Sequence, residues 1–345
     1  MHFTNFYLHV LTTKDNVGNS SSRTYIIYIA RPKVGEIVNY TPDTPSTGYD
    51  LTTAKSGSTW EGNQTIDSTY DPTTWKIMEV DENGNITKLL GIGAKAVTFL
   101  GATGYNNGVY LLNDICKSRY GNASLGATAR SLNIEDIESR MNATGIAAKN
   151  GYKSGTTQYG TTRKYTGSYT KYPAIYAQEK YSGINVSDVA DGTQVIAGSV
   201  DATAQSKMNP NGKSGSDDIY TTLPETSETT GPSKTNLTCT QTDYYFSSTP
   251  SSYFDDTNFH SMIFGTETDF WLASRCVSCN SGSSDATFVL RRVDSSSLGG
   301  HYLFRSRGSN NFYSSCRLAS VVSLGSGIQV KSGSGTESDK YVIGK

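Results

Sequence analysis

The chain has 345 residues, long enough to bury a substantial core without disulfides or metals to hold it together. Its 30 basic and 31 acidic residues nearly cancel, so the charge does not point to a nucleic-acid partner or another polyanion. The five cysteines are few and odd in number. The single Cys-x-x-Cys, at Cys276 and Cys279, lacks the second ligand pair of a zinc site. The longest apolar runs are too short to cross a membrane, so no membrane-spanning segment is expected.

The opening of the chain is rich in β-forming residues. The runs FYLHVLTT and RTYIIYIA predict two strands, and KDNVGNSSS between them supplies hairpin turn residues. Residues 1–32 are therefore expected to form a β-hairpin and a linker. The hairpin is similar to the closing strands of bacterial immunoglobulin-like repeats, in which an Asp-x-x-Gly-Asn turn precedes the last strand. Two strands cannot bury a sheet face alone, so the hairpin either packs on the next domain of the chain or is incomplete.

A new unit begins after residue 32, with short strands followed by two helices. VGEIVNYTP predicts a strand, and WKIMEVDENGNITKLLG predicts a hairpin that turns at Asn83-Gly84. Val109, Leu112, Ile115 and Cys116 stand at helical spacing and predict a helix over about 106–119. A second helix is expected over about 134–141, with an N-cap at Asn133 and Asp136 at the third helical position. Strands and helices in this order predict an α+β domain.

The stretch from about 142 to 257 is different in composition. Gly, Ser, Thr and Tyr dominate it, and its hydrophobic periodicity is poor. A bare loop of this length is uncommon in a compact domain, so the stretch is interpreted as an insertion with irregular structure and short strands. Order resumes at FHSMIFGTETDFWLASR and continues through ATFVLRRV, HYLFRS and ASVVSLGSGIQV. Residues 331–345 are interpreted as a tail.

Five segments in a fixed order carry a resemblance to a known family. They are VGEIVNY, GYNNGVYLLNDICKSRYGNASLGATARSLNIEDIE, YPAIYAQEKYSGIN, FWLASR and RLASVVSLGSGIQV. Over residues 33–330 the chain resembles surface proteins of gut Firmicutes and their phages. The resemblance implies a C-type-lectin-like fold, in the version shared with formylglycine-generating enzyme and with variable proteins of diversity-generating retroelements. That fold has two helices around a small, mostly antiparallel sheet. Ser320 departs from the family, which usually has a proline there.

A gap in residue usage supports this resemblance. Lys, Glu, Gln, Met and Trp are all absent from Leu272 to Ile328, although they make up 44 of the 345 residues. About seven would be expected in a stretch of this length from composition alone. The family implies a cause, because such retroelements overwrite adenines, mostly in AAC or AAT codons. Randomising both adenines of those codons encodes every residue except these five.

The alternation within this window separates scaffold from candidate binding positions. Phe288 and Leu290 are expected on the buried face of a strand, with Trp271 in the core. The resemblance implies that the positions between such residues converge on one exposed face and bind a ligand. They are Cys276, Ser278, Asn280, Thr287, Arg292, Asp294, Ser297, His301, Tyr302, Arg305, Arg307, Asn311, Phe312 and Tyr313.

The function expected from these observations is non-enzymatic binding of a protein or cell-surface ligand, on a bacterial cell surface, on a virion or outside the cell. Tyr and Arg would be the anchors, since both dominate binding hot spots. No cofactor and no metal are expected, because the four histidines are scattered and DENGN lacks the spaced ligands of a calcium loop. Arg275 and Arg291 are interpreted as structural, hydrogen-bonding to loop carbonyls. The alternatives are a structural or pilus-like surface subunit and a formylglycine-type enzyme, for which Cys276 and Cys279 are a poor match.

Overall fold

A broad mixed β-sheet dominates the structure, which is a computed structural model. Of the described residues, 44% lie in strands and 19% in helices. The expected α+β class, with two helices around a small sheet, is therefore wrong, because the main sheet has ten strands. The structure describes residues 6–28, 31–44, 47–52, 63–166, 236–265, 268–280, 282, 284–306 and 312–345.

The elements in chain order alternate short hairpins with four helices in the described part of the chain. The strands are β1 (Phe6–Lys14), β2 (Ser20–Tyr28), β3 (Ile37–Asn39), β4 (Tyr49–Thr52), β5 (Asn63–Ile66), β6 (Trp75–Val80), β7 (Ile86–Leu100), β8 (Thr128–Ser131), β9 (Lys153–Ser154), β10 (Thr157–Gln158), β11 (Thr162–Thr166), β12 (Asn236–Thr240), β13 (Phe270–Ser278), β14 (Thr287–Asp294), β15 (Ser297–Arg305), β16 (Tyr313–Ser323), β17 (Gln329–Ser332) and β18 (Tyr341–Gly344). The helices are α1 (Gly101–Arg119), α2 (Ile134–Glu138), α3 (Ala143–Gly151) and α4 (Thr257–Phe264). Short 3-10 turns lie at Ser68–Tyr70 and Ser251–Tyr253.

The main sheet runs in the order β15-β14-β13-β16-β7-β6-β3-β18-β17, and β8 pairs with β16 beside this path. Most neighbours are antiparallel, but β13 meets β16 in parallel at Phe270 and Arg317, and β18 lies parallel to β3. The last two strands of the chain thus close the far edge of the sheet. The interpretation of residues 331–345 as a tail is wrong, because Tyr341 pairs with Val38 and is buried.

Helices and loops cover both faces of the sheet. On one face α1 buries Val109, Leu112 and Ile115 against a cluster that contains Trp271 and Phe288. This confirms the predicted helix, its buried stripe and the core position of Trp271. The other face is covered by α2, α4 and the segment 241–254, which form a second hydrophobic cluster with the sheet.

Local sequence signals account for several of these elements. The N-cap Asn133 accepts from the backbone N–H of Asp136, whose side chain accepts from the backbone N–H of Asn133, and this capping box confirms the predicted start of α2. Gly84 has φ 87° in the turn between β6 and β7, a left-handed conformation that glycine adopts without strain. The two strands predicted at the beginning of the chain are confirmed as the antiparallel pair β1 and β2.

The compositionally distinct stretch is partly built into the body of the protein. Strands β11 and β12 pair with each other, with Thr162 opposite Thr240, and so bring residues 166 and 236 together. Segment 241–246 then packs along β13 and β15, where the backbone N–H of Asp243 donates to the carbonyl of Val277. The segment YPAIYAQEKYSGIN lies outside the described residues.

Candidate functional site

The candidate binding positions lie on and around the three-stranded edge of the main sheet, β13-β14-β15. In the antiparallel register, Val289 pairs with Tyr302, Leu290 with His301 and Arg292 with Gly299. Directly paired residues share a face of a sheet, and successive residues alternate between faces. His301 and Tyr302 therefore point to opposite faces. The expectation that all these positions converge on one exposed face is wrong for this reason.

Four residues make up what we call the aromatic–arginine patch: Tyr302 and Arg305 of β15, with Phe312 and Tyr313 where β16 begins. The guanidinium carbon of Arg305 lies 4.9 Å from the ring centre of Phe312 and 5.9 Å from that of Tyr302. Such distances allow a cation–π interaction with both rings. Tyr302 is 46% exposed and Tyr313 is 51% exposed. The patch therefore presents flat aromatic surface to solvent around a partly screened arginine.

The opposite face carries a group that we call the polar patch: Asp269, Arg292, Asp294 and His301. Arg292 donates to Asp294 at 2.6 Å and to Asp269 at 3.3 Å, so one cation faces two carboxylates. Burial raises the pKa of Asp269, and the adjacent carboxylate of Asp294 raises it further. Burial also lowers the pKa of His301, and the positive charge of Arg292 adds to this effect. His301 is accordingly neutral at physiological pH.

Cys276 belongs to neither patch, because it is fully buried. Its thiol donates to Asp243 Oδ1 at 3.3 Å, beneath the segment that covers β13. Burial raises the pKa of this thiol well above its usual range, so the reactive thiolate is not populated at neutral pH. The expectation that Cys276 is an exposed binding position is wrong. Its role in the fold is that of a small buried side chain.

A buried cation holds segment 241–246 against β14. Arg291 is 3% exposed and donates through Nη2 to the carbonyl oxygen of Thr242. Its guanidinium carbon lies 4.5 Å from the ring centre of Tyr244, and Nη1 lies 4.0 Å from Asp243. This confirms the structural interpretation of Arg291. Arg275 also lies against an aromatic ring, 5.1 Å from the ring centre of Tyr105 on α1.

The remaining candidate positions are more scattered. Ser278 and Thr287 pair with each other at one end of the three strands, and Ser297 flanks the turn at the other end. These ends are about 23 Å apart, at 3.3 Å per residue along β14. Asn280 is exposed, and its carbonyl accepts from Arg163 of β11. Arg307 and Asn311 lie outside the described residues.

Sequence reasoning missed the residues that segment 241–246 brings to the site. Asp243 and Tyr244 are buried against the strands, and Tyr245 is 50% exposed beside β15. Alternation offered a weak signal, because Tyr244 and Phe246 are buried or half-buried while Tyr245 between them is exposed. The pairing of Phe246 with Leu298 could not be read from the sequence.

The described part of the chain holds no group of three or more His, Cys, Asp or Glu side chains placed to bind a metal ion. A groove of about 500 Å³ lies beside α4. Lys33, Lys76 and Met262 are among its lining residues, and none of the candidate binding positions is. As for membrane insertion, the helices that the structure describes are all too short or too polar to span a bilayer.

Comparisons of this chain with protein-family models, with curated proteins and with solved structures find no match. Its function is accordingly argued from the placement and chemistry of its side chains, since a fold alone does not specify a function.

Proposed function

We propose that this chain is a non-enzymatic display protein, located at a cell surface, on a virion or outside the cell, that binds a protein ligand through the aromatic–arginine patch. We further propose that a retroelement diversifies the exposed positions of its Leu272–Ile328 window, as in the variable surface proteins that the sequence resembles. One observation supports this proposal above the others. Exposed Tyr302 stands on the same strand as Leu303 and Phe304, which are fully buried.

The chemistry of the patch suits a protein ligand. Tyrosine and arginine dominate the hot spots of protein interfaces, because they offer large contact area and polar tips. Arg305 lies 4.0 Å from Asp285, which is buried beneath it, so the patch has no large excess of positive charge. A neutral aromatic surface favours a protein partner over a polyanion.

The strands beneath the patch make diversification tolerable. Phe288 and Phe304 pack against each other with their ring centres 5.8 Å apart, and the ring of Phe288 also contacts that of Tyr105 on α1. Stability lies in these buried contacts, so exposed neighbours can change at little cost. This is the arrangement that a repeatedly overwritten binding surface requires.

The proposal is tested by sequencing this gene in many isolates of one population. We expect substitutions at Thr287, Tyr302, Arg305 and Tyr313, with codons ending in C or T and no Lys, Glu, Gln, Met or Trp. Phe304 serves as the matched control and is expected to stay unchanged. Cys276 is expected to behave like Phe304, because it is buried.

Two results would count against the proposal. Substitutions spread evenly over the chain would remove the case for targeted diversification. An unchanging window in every isolate would instead favour a structural surface subunit, in which this face packs against neighbouring molecules.

A further inference from the structure

The groove beside α4 adjoins a smaller recess. The groove holds about 500 Å³ and the recess about 130 Å³, and Lys76 and Met262 line both. The larger volume is within the range of about 300–1,000 Å³ that is usual for ligand-binding clefts. We call the two volumes together the α4 cleft.

The strand register explains the floor of the α4 cleft. Lys76 on β6 pairs directly with Ile37 on β3 and with Leu90 on β7, so these three side chains share one face of the sheet. Ile92 lies two residues beyond Leu90, and both pack in the hydrophobic cluster that α4 joins. Lys76 is therefore a cation set in an apolar floor.

Two lysine amines of the cleft have no partner among the described residues. Lys76 is half-buried and Lys33 is exposed, and neither side chain forms an ion pair or a hydrogen bond there, whereas Lys88 donates to a glutamate at 2.9 Å. The acid that lines the cleft, Glu36, accepts through Oε2 from the backbone N–H of Lys33 at 2.8 Å and from the Tyr341 hydroxyl at 3.1 Å. Two lysines against one glutamate leave an excess of positive charge, which favours an anionic ligand.

The cleft suits a carboxylate better than a phosphate. Phosphate sites in proteins usually employ free backbone N–H groups or arginine forks. Here the backbone N–H groups of Lys33 and of residues 35–37 already donate within the protein, and no arginine is among the described residues that line the cleft. Asn258 and Ser261, both exposed on α4, add an amide and a hydroxyl that can pair with peptide groups. Together with the apolar floor, these groups fit a peptide that carries both acidic and aliphatic side chains.

We propose that the α4 cleft binds a short, extended acidic peptide of a partner protein. One carboxylate of the peptide pairs with Lys33 and a second with Lys76, and an aliphatic side chain enters the recess beside Leu90. The residues that line the cleft lie outside the Leu272–Ile328 window. The cleft therefore does not depend on diversification of that window or on the aromatic–arginine patch, and either proposal can fail alone.

Fluorescence polarisation with the full chain and labelled peptides tests this proposal. The probe is GEAEALG, in which alternation puts the glutamates and the leucine on one side of an extended peptide. Its controls are GQAQALG, in which the glutamates become glutamines, and GEAEAGG, which lacks the leucine. The protein variants are Lys33→Gln, Lys76→Gln and Ser261→Trp. Lys117→Gln, at an exposed position of α1, is the matched control for loss of one positive charge.

We expect saturable binding of GEAEALG that weakens with added salt, because salt screens the charge pairs. GQAQALG should not bind, and GEAEAGG should bind several-fold more weakly because the buried leucine is lost. Lys33→Gln and Lys76→Gln should each weaken binding about tenfold, the effect of removing a hydrogen bond to a charged group. Ser261→Trp should abolish binding without a change of charge, because the indole ring fills the cleft. Lys117→Gln should leave the affinity unchanged, and all four variants should melt like the unchanged chain.

Several results would overturn the proposal. Absence of saturable binding up to about 1 mM peptide would leave no site. Equal weakening by Lys117→Gln and Lys76→Gln would indicate a general attraction of anions, and undiminished binding to Ser261→Trp would place the peptide elsewhere. Equal affinity for GEAEAGG would mean that the recess holds no side chain. Polyphosphate that displaces the probe more effectively than unlabelled GEAEALG, at equal charge, would make the ligand a phosphate polymer.

Discussion

Replacing Trp271 tests whether the strands beneath the two patches form a rigid scaffold. The side chain is fully buried, and its ring meets Phe99 edge-on with ring centres 5.6 Å apart. Its indole Nε1 donates to the carbonyl oxygen of Val97 at 2.8 Å, which links the candidate site to β7 across the sheet. Trp271→Ala removes both the packing and the donor.

The two losses add to a large destabilisation. Deleting a buried tryptophan costs about 3–5 kcal/mol. The buried carbonyl of Val97 loses its indole donor, which adds about 1–3 kcal/mol. The sum is comparable to the whole stability of an ordinary domain, about 5–15 kcal/mol, so this variant is expected to be largely unfolded. Trp271→Phe keeps an aromatic ring and should remain folded, with a smaller loss.

The matched controls are Tyr302→Ala and Tyr313→Ala, at aromatic residues that are about half exposed. Each should shift the free energy of unfolding by no more than about 0.5 kcal/mol, the usual effect at a surface position. Urea denaturation followed by circular dichroism measures all four variants. If the tyrosine variants lose as much stability as the Trp271 variants, the aromatic–arginine patch is packed core and the binding proposal fails.

Three further predictions concern groups that support the sheet. Burial raises the pKa of Glu135 from 4.5 to about 7, and repulsion from Glu138 adds to this. The folded state therefore favours the protonated carboxyl. The contribution of Glu135 to stability is fully present below pH 4.5 and is lost as the pH rises to about 7. Between pH 4.5 and 7 the free energy of unfolding should therefore fall by about 1–3 kcal/mol less in Glu135→Gln than in the unchanged protein. Identical pH profiles of urea denaturation for the two proteins would contradict this. Asp71→Ala should lower the free energy of unfolding by about 3–5 kcal/mol in the same assay, because it leaves the buried Arg119 guanidinium without the carboxylate that now accepts from it through both oxygens. A loss below about 1 kcal/mol would refute this. Ser295 has φ 53° in the turn between β14 and β15. Ser295→Gly should therefore raise the melting temperature, because it relieves about 0.5–1 kcal/mol of backbone strain. A lower melting temperature would show that the serine is not strained.

Elements with local signals could be predicted from the sequence. The capping box at Asn133, the spacing of Val109 and Leu112, and the turn at Gly84 each lie within a few residues of the structure they specify. Such signals depend on backbone hydrogen bonds and side chains that are close in the chain. Their prediction therefore did not require knowledge of the fold.

The width of the sheet could not be predicted in this way. Strand β18 pairs with β3 through Tyr341 and Val38, which are about three hundred residues apart in the sequence. A strand of four residues carries almost no periodicity, and nothing nearby in the chain marks its partner. For this reason residues 331–345 have the sequence character of a tail, and the sequence predicts a smaller sheet than the one that forms.

The candidate site was predictable as a set of strands but not as a surface. Alternation along β14 correctly placed Phe288 and Leu290 on a buried face. Along β15 it also places His301 and Tyr302 on opposite faces, but it could not show that Asp243 covers Cys276. That contact depends on segment 241–246, which reaches β13 and β15 from a stretch with poor periodicity.

The packing of β14 explains why exposed positions are concentrated on β15 and at the strand ends. Phe288 and Leu290 belong to the cluster beneath α1, while Val293 belongs to the cluster on the opposite face. Arg291 is committed to segment 241–246 through Thr242 and Tyr244. Both faces of β14 are thus used for packing over most of its length, and variation there would cost stability. The edge strand β15 has one neighbouring strand of the main sheet, so it can present His301 to one side and Tyr302 to the other without disturbing the packing of β14.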